Sequence, residues 1–239
     1  MPAPLFPVFL DLAGRRVLLV GGGVVARRKA EALVEAGADV VVGAPALVPE
    51  LARAVAEGRL AHRPGPFHPG WLEGAWLVIA ATDDPDVNAT VAREAEARRI
   101  WVNVVDDAPR CSFQVPARVE RGPLQVAISS RGEAPMLARW LRERLETELD
   151  PALGQLAEWL GAKRETLRTR FPETARRRQV IETLIRGPAA DALRNGDVAG
   201  AEAAFEAALG QDATPRGRVI LVGAGPGDPG LLTLRGLRA

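Results

Sequence analysis

Between positions 16 and 107 the chain changes period repeatedly. Short unbroken aliphatic runs begin at Arg16 ("RVLLV"), Asp39 ("DVVVGAP"), Ala75 ("AWLVIAATDD") and Ile100 ("IWVNVVDD"). Between them stand "VVARRKAEALVEAG", "PELARAVAEG" and "PDVNATVAREAEARR", whose apolar residues recur at helical spacing. A weaker run broken by proline, "LAHRPGPF", starts at Leu60. A strand wetted on one face alternates apolar and polar residues. A run without alternation is covered on both faces, which predicts a parallel sheet with helices on either side. Right-handed crossovers then give the strand order 3-2-1-4-5, an α/β fold with a doubly wound parallel sheet.

After Asp107 the alternation stops. "SFQVPARV" and "PLQVAIS", joined by "ERG", predict a hairpin. In "APMLARWLRERLETEL", Leu137, Trp140, Leu141, Leu145 and Leu149 form one helical stripe. Residues 151–210 carry no strand signal and read as short helices punctuated by Pro151, Pro172, Pro188 and Gly196. The expected organisation is a first domain over 1–112, a small mixed α+β domain over 113–150 and a helical part over 151–212. From 213 to 239 an apolar strand again enters a glycine-rich turn, "VILVGAGPGDPG". One strand and one turn bury no core, so this segment is expected to be the poorly packed opening of a further domain.

Composition narrows the function classes. With 31 basic and 30 acidic residues the formal charge is +1, which leaves no basic surplus for a dedicated nucleic-acid binder. A single cysteine, Cys111, excludes an intrachain disulfide and suits a reducing, cytoplasmic setting. The opening "MPAPLFPVFLDLAG" lacks a basic region and contains three prolines, unlike a signal peptide, and no apolar run is long enough to span a bilayer.

The turn after the first run is glycine three times over. Gly21, Gly23 and Ala26 fit G-x-G-x-x-A, with Gly22 between them. The first glycine serves the tight turn, the second lets a pyrophosphate approach the backbone, and the small third residue lets helix and strand pack closely. The helix start supplies free N–H groups for the anion. Following a buried-type strand and opening a helix, this turn reads as a dinucleotide site. The acidic residue expected at the end of the second strand is absent: Gly43, Ala44 and Pro45 stand there, and Asp39 lies at the other end. Backbone groups near Pro45 and Ala46 would hold the ribose, and these residues do not separate NAD from NADP.

Ligands of such a sheet sit beyond the carboxyl ends of its strands. Thr82, Asp83 and Asp84 end one run; Asn103, Asp106 and Asp107 end another. A carboxylate there can take a proton, hold a metal ion or orient a substrate. Asp84, before Pro85, is expected to cap the next helix. His62 and His68 have no metal-ligand spacing and are expected in surface loops. Cys111 reads as a small buried hydrophobe rather than a reactive thiol. Ser130 either opens a capping box with Glu133 or, if the helix starts near Ala134, leaves a free hydroxyl beside its N–H groups. The basic stretch "KRETLRTRFPETARRRQ" reads as a solvated helix face.

Taken together, "GGGVVARRKAEALVEAGA", "AATDDPDVN", "RRIWVNVVDDAPRCSFQVPA" and "PLQVAISSRGEAPMLAR" resemble the siroheme synthase family over essentially the whole chain. The closing segment resembles the first strand and glycine loop of the tetrapyrrole methyltransferase domain fused behind it in trifunctional members. The resemblance implies a Rossmann-like NAD-binding domain, a dimerisation domain after it and an active site between them. It implies NAD⁺-dependent oxidation of precorrin-2 to sirohydrochlorin, followed in many members by Fe²⁺ insertion. It implies a homodimer acting on a tetrapyrrole, with no nucleic-acid or membrane partner. Carried over by motif, it makes Asp106 the key aspartate, with Fe²⁺ passing near it and no resident metal. Ser130, Asn103 and Arg131 fall at the substrate, Arg131 where relatives often have glycine. Gly21, Gly22, Gly23, Val24, Val25, Pro45, Ala46, Thr82 and Asp83 fall at the cofactor. Arg110, Arg118, Arg121 and Arg131 are expected to pair with substrate carboxylates. The competing reading is a dinucleotide-sensing regulatory module without catalysis, which leaves Asp106 and the "SS" loop unexplained.

Overall fold

The computed structural model of the chain describes residues 5–210 and residue 223. The segment expected to open a further domain, 213–239, therefore lies outside the described residues apart from Gly223.

The aliphatic runs pair as one five-stranded parallel sheet in the order β3-β2-β1-β4-β5. The strands are β1 (Arg16–Val20), β2 (Asp39–Ala44), β3 (Ala61–Pro64), β4 (Leu77–Ala80) and β5 (Trp101–Val104). Helices α1 (Val24–Glu35), α2 (Pro49–Ala56) and α3 (Pro85–Ala97) make the crossovers. The central strand shows why the runs are unbroken. Val17 and Leu19 enter a core with Ala26, Ala30 and Leu33 of α1, whereas Leu18 and Val20 enter a second core with Val91, Ala92 and Ala95 of α3. Both faces of β1 are dry, and each such Leu or Val side chain contributes about 1.5–3 kcal/mol by leaving water.

Two local features differ from expectation. A 3₁₀ turn over Pro69–Leu72 follows β3, its start capped by His68, whose Nδ1 accepts the Gly70 N–H at 3.1 Å. The hairpin consists of β6 (Ala117–Arg121) and β7 (Leu124–Ile128), so Glu120 and Arg121 belong to the strand and the turn falls on Gly122, with φ +54°, and Pro123. Residues 112–113 are drawn away from the hairpin by β5: the Ser112 N–H donates to Val102 O at 2.8 Å, and the Val102 N–H donates to Ser112 Oγ at 2.7 Å. Pro116 has no N–H to extend a ladder. After the hairpin comes α4 (Pro135–Glu148), which buries only Ala138 and leaves Met136, Leu137 and Trp140 of its apolar side exposed.

The chain forms two compact units, one of residues up to Glu120 with Gln125–Asp150, the other of Arg121–Leu124 with the chain from Pro151. The second is helical: α5 (Ala152–Ala162), α6 (Arg164–Arg170), α7 (Thr174–Arg186), α8 (Pro188–Arg194) and α9 (Val198–Gly210). Its core gathers Leu167, Phe171, Val180, Leu184 and Phe205, next to a smaller cluster of Leu156, Ala190, Leu193 and Ala201. Glu202 ties α9 to α5, accepting from Lys163 Nζ at 2.6 Å and Trp159 Nε1 at 2.8 Å. The punctuation falls as expected, with Pro151 preceding α5, Pro188 in the first turn of α8 and Gly196, at φ +74°, after it.

Candidate active site

The glycine turn stands at the carboxyl end of β1, and its three glycines do different work. Gly21 has φ +127°, and a Cβ there would collide with the Ala81 carbonyl after β4. A Cβ on Gly22 would collide with the Ala46 carbonyl after β2, and the Val48 N–H donates to Gly22 O at 2.8 Å. These two glycines let the turn press against its neighbouring strand ends. Among the described residues, none beyond its chain neighbours comes within 4 Å of a Cβ at Gly23. Gly23 is also the N-cap of α1, with no side-chain cap and no acidic residue in the first turn. The first N–H groups of α1 thus face open space without a side-chain acceptor, which fits a diphosphate held by backbone. Val24 is exposed and Val25 half-buried beside them, and Pro45 and Ala46 are exposed on the opposite lip.

No carboxylate ends β2, whose last residues Gly43 and Ala44 are buried. Gly43 is required by packing, since a Cβ there would collide with the ring of Trp71. Thr82, after β4, is locked in place: its hydroxyl donates to Asn88 Oδ1 at 2.8 Å, and Asn88 Nδ2 donates to Thr82 O at 2.9 Å. Asp83 is exposed beside it. Asp84 caps α3, accepting from the Asp86 N–H at 2.9 Å and the Val87 N–H at 3.2 Å.

The acids after β5 separate. Asp107 forms an ion pair with Arg110. Asp106 sits at φ +59° in the turn closed by the Asp107 N–H to Val104 O at 3.2 Å. Aspartate tolerates the left-handed region better than most residues. Asp106 lines a cleft of about 370 Å³ together with Lys29, Asn103, Cys111, Ser129 and Ser130. Asn103 is buried, with Nδ2 donating to Phe113 O at 3.1 Å, so it anchors the segment under the cleft. A larger hollow of about 660 Å³ beside α3 and β5 collects Arg93, Arg99, Trp101 and Arg110 but neither Asp106 nor Ser130. The chemistry points to the smaller cleft.

The capping box does not form. α4 starts with Pro135 and its N-cap is Ala134, because proline suits a first helical position. Ser130 Oγ instead accepts the Ala134 N–H at 3.2 Å, which leaves the hydroxyl proton to donate into the cleft. Arg131 has φ +60°, a conformation that favours glycine, and is not part of the cleft wall, which passes from Ser130 to Gly132.

Cys111 is half-buried; its thiol donates to Val104 O at 3.2 Å, and burial first of all pushes its pKa up. That is the opposite of an activated thiol. His62 Nε2 lies 2.9 Å from Ala44 O within β3, a structural role. Among the described residues no group of three or more His, Cys, Asp or Glu gathers to hold a metal ion, and no helix is long and apolar enough to cross a membrane.

Sequence reasoning missed Lys29. It lies on α1, half-buried, and lines the cleft with Asp106. Burial is the main cause lowering its pKa, and the nearby Arg28 adds to it, while the negative charge of Asp106, and then that of Cys111 once ionised, opposes both. On a helix of alternating charges a lysine reads as solvated surface; only the fold reveals the wall it faces.

Residues 8–117 match a family model described as putative NAD(P)-binding, 121–148 the sirohaem biosynthesis protein central model and 152–209 the sirohaem synthase dimerisation region. The siroheme synthase of Xylella fastidiosa (strain M12) is 52% identical over 237 residues, covering 98% of this chain and 50% of that protein. The siroheme synthase of Chromobacterium violaceum is 50% identical over 234 residues, again 98% of this chain and 50% of the relative. This chain thus spans about half the length of the curated relatives it matches. The solved structure of SirC, precorrin-2 dehydrogenase, is similar with a TM-score of 0.68 and 26% identity, over 85% of this chain and 98% of that one.

Proposed function

Because the chain belongs to the siroheme synthase family, we propose that it oxidises precorrin-2 to sirohydrochlorin with NAD⁺ and then inserts Fe²⁺, as a substrate, to give siroheme. The observation that carries this reading is the cleft beside Asp106 and Ser130, on the same carboxyl edge of the sheet as the open glycine turn. One strand, β4, separates β1 from β5, so turn and acid stand about 10 Å apart at two strand spacings.

When bound, NAD⁺ supplies the hydride acceptor that the oxidation requires. The first N–H groups of α1 would hold its diphosphate, and the backbone at Pro45 and Ala46 would meet the ribose in place of the missing carboxylate. Thr82 and Asp83 border the same edge, Thr82 held rigid by Asn88. Oxidation removes a hydride and a proton from the macrocycle, and Asp106 takes the proton. Its left-handed turn sets it apart from Asp107, which Arg110 already engages. Ser130 donates its remaining proton to the substrate. Metal insertion displaces two pyrrole N–H protons, and the same carboxylate takes them one at a time, passing the first to solvent before it accepts the second. The exposed Met136, Leu137 and Trp140 of α4 support a homodimer in which that face is covered.

The test is Asp106→Ala followed in two anaerobic assays, precorrin-2 with NAD⁺ and sirohydrochlorin with Fe²⁺. Loss of both activities in a folded variant is expected. Full activity in both assays would remove Asp106 from the mechanism.

A further inference from the structure

One charged group in the cleft has no task in the reaction just described. Lys29 shares the cleft wall with Asp106 and Ser130, and its side chain is half-buried. Among the described residues none is within hydrogen-bonding or ion-pairing reach of its ammonium. The arginines expected to serve the substrate are already engaged. Arg110 pairs with Asp107, and Arg118 pairs with Glu120 at 3.1 Å and with Glu35 at 3.6 Å. Arg121 and Arg131 also have partners. The chain has only two lysines, and the other, Lys163, is bonded to Glu202 at 2.6 Å.

A half-buried ammonium with no ion pair of its own loses hydration, and the more distant charge of Asp106 makes up only part of that loss. The direction of its pKa, lowered chiefly by burial, agrees with that. The sign follows: a base with a depressed folded value is held charged at a cost at neutral pH, and that cost vanishes only above its ordinary value. An anion entering the cleft relieves it. The ammonium is a compact point charge on a flexible stem, suited to a single carboxylate that swings on a short arm.

We propose that Lys29 is a substrate-anchoring residue whose ammonium pairs with one side-chain carboxylate of the macrocycle and thereby holds the ring against Asp106. The inference rests on the tetrapyrrole reading above, and it adds a contact which that reading does not contain.

The experiment compares wild type with Lys29→Met and Lys29→Arg in the full chain. Binding is measured by absorbance titration with a stable polycarboxylate porphyrin and with the same porphyrin as its neutral methyl ester. Wild type should prefer the free acid. Lys29→Met should bind the free acid ~10- to 150-fold more weakly, the range for losing one charged hydrogen bond, and should lose the preference for acid over ester. Lys29→Arg should recover part of both. The affinity of Lys29→Met for NAD⁺ should be unchanged, and its melting temperature without ligand should not fall, since an unpaired charge has been removed. Unchanged porphyrin affinity in a folded Lys29→Met overturns the proposal. So does recovery of affinity in Lys29→Met/Asp106→Asn, which would mean that Lys29 only offsets the charge of Asp106. If wild type shows the Lys29-dependent preference yet yields no NADH from precorrin-2, the proposed reaction fails while the anchor stands.

Discussion

Gly23→Ala separates folding from cofactor binding at a single atom. Gly23 has φ −86° and ψ −172°, extended backbone that alanine adopts freely, and among the described residues none beyond its chain neighbours lies within 4 Å of the new methyl. Two small terms then oppose each other. Alanine restricts the unfolded chain, worth about 0.4–1 kcal/mol, and is a poorer N-cap than glycine by a similar amount. They nearly cancel, so the melting temperature should move by no more than about 2 °C. The methyl, however, would occupy the space where the proposed diphosphate would meet the first N–H groups of α1. Losing one hydrogen bond to a charged group costs about 1.5–3 kcal/mol, or ~10- to 150-fold in Kd. Titration calorimetry with NAD⁺ and differential scanning calorimetry read the two quantities. Gly22→Ala is the control, because its Cβ collides with the Ala46 carbonyl; overpacking of about 1–3 kcal/mol should lower its melting temperature by ~2–12 °C. An unchanged Kd in Gly23→Ala would refute the placement of the nucleotide. A fall of more than ~5 °C in its melting temperature would refute the open space.

Asp84→Ala removes a cap that accepts two N–H groups of α3, and should cost about 0.5–2 kcal/mol in thermal unfolding with NAD⁺ affinity unchanged. Within the helical unit, a Cβ at Gly154 would stand 2.8 Å from the Arg121 carbonyl, so Gly154→Ala should destabilise by about 1–3 kcal/mol in denaturant melts. The hydrogen bond from Lys163, then that from Trp159, holds the Glu202 carboxyl below its ordinary 4.5. The stability this lends is present above that pH and lost as pH falls through the depressed folded value. Glu202→Gln should flatten that part of the acid limb in circular dichroism melts taken across pH.

The sheet was legible because burial on both faces leaves no alternation: "RVLLV" feeds two cores, and that pattern is readable without coordinates. The glycine turn was legible for the same kind of reason, since only a turn explains three glycines between a strand and a helix. Local competition set the limits. The hairpin boundary shifted because Ser112 bonds to Val102, ten residues earlier, a partner that no turn signal reveals. The Ser130 capping box yielded to Pro135, which fixes the helix start. At the site, "NVVDD" offers two carboxylates, and only the fold shows Arg110 engaging Asp107 while Asp106 lines the cleft. Arg118 has two partners, Glu120 two residues on and Glu35 at the end of α1, and only the second lies too far away in sequence to be read there. Lys29 was illegible for a related reason: the cleft wall it shares with Asp106 is visible only in three dimensions.

The most direct measurement is the stoichiometry of the reaction itself, with purified chain, precorrin-2 and NAD⁺ mixed without oxygen and both products quantified. One NADH for each sirohydrochlorin formed, with neither appearing when NAD⁺ is withheld, is the expected result. Precorrin-2 left unchanged by a chain that still binds NAD⁺ would contradict the central claim.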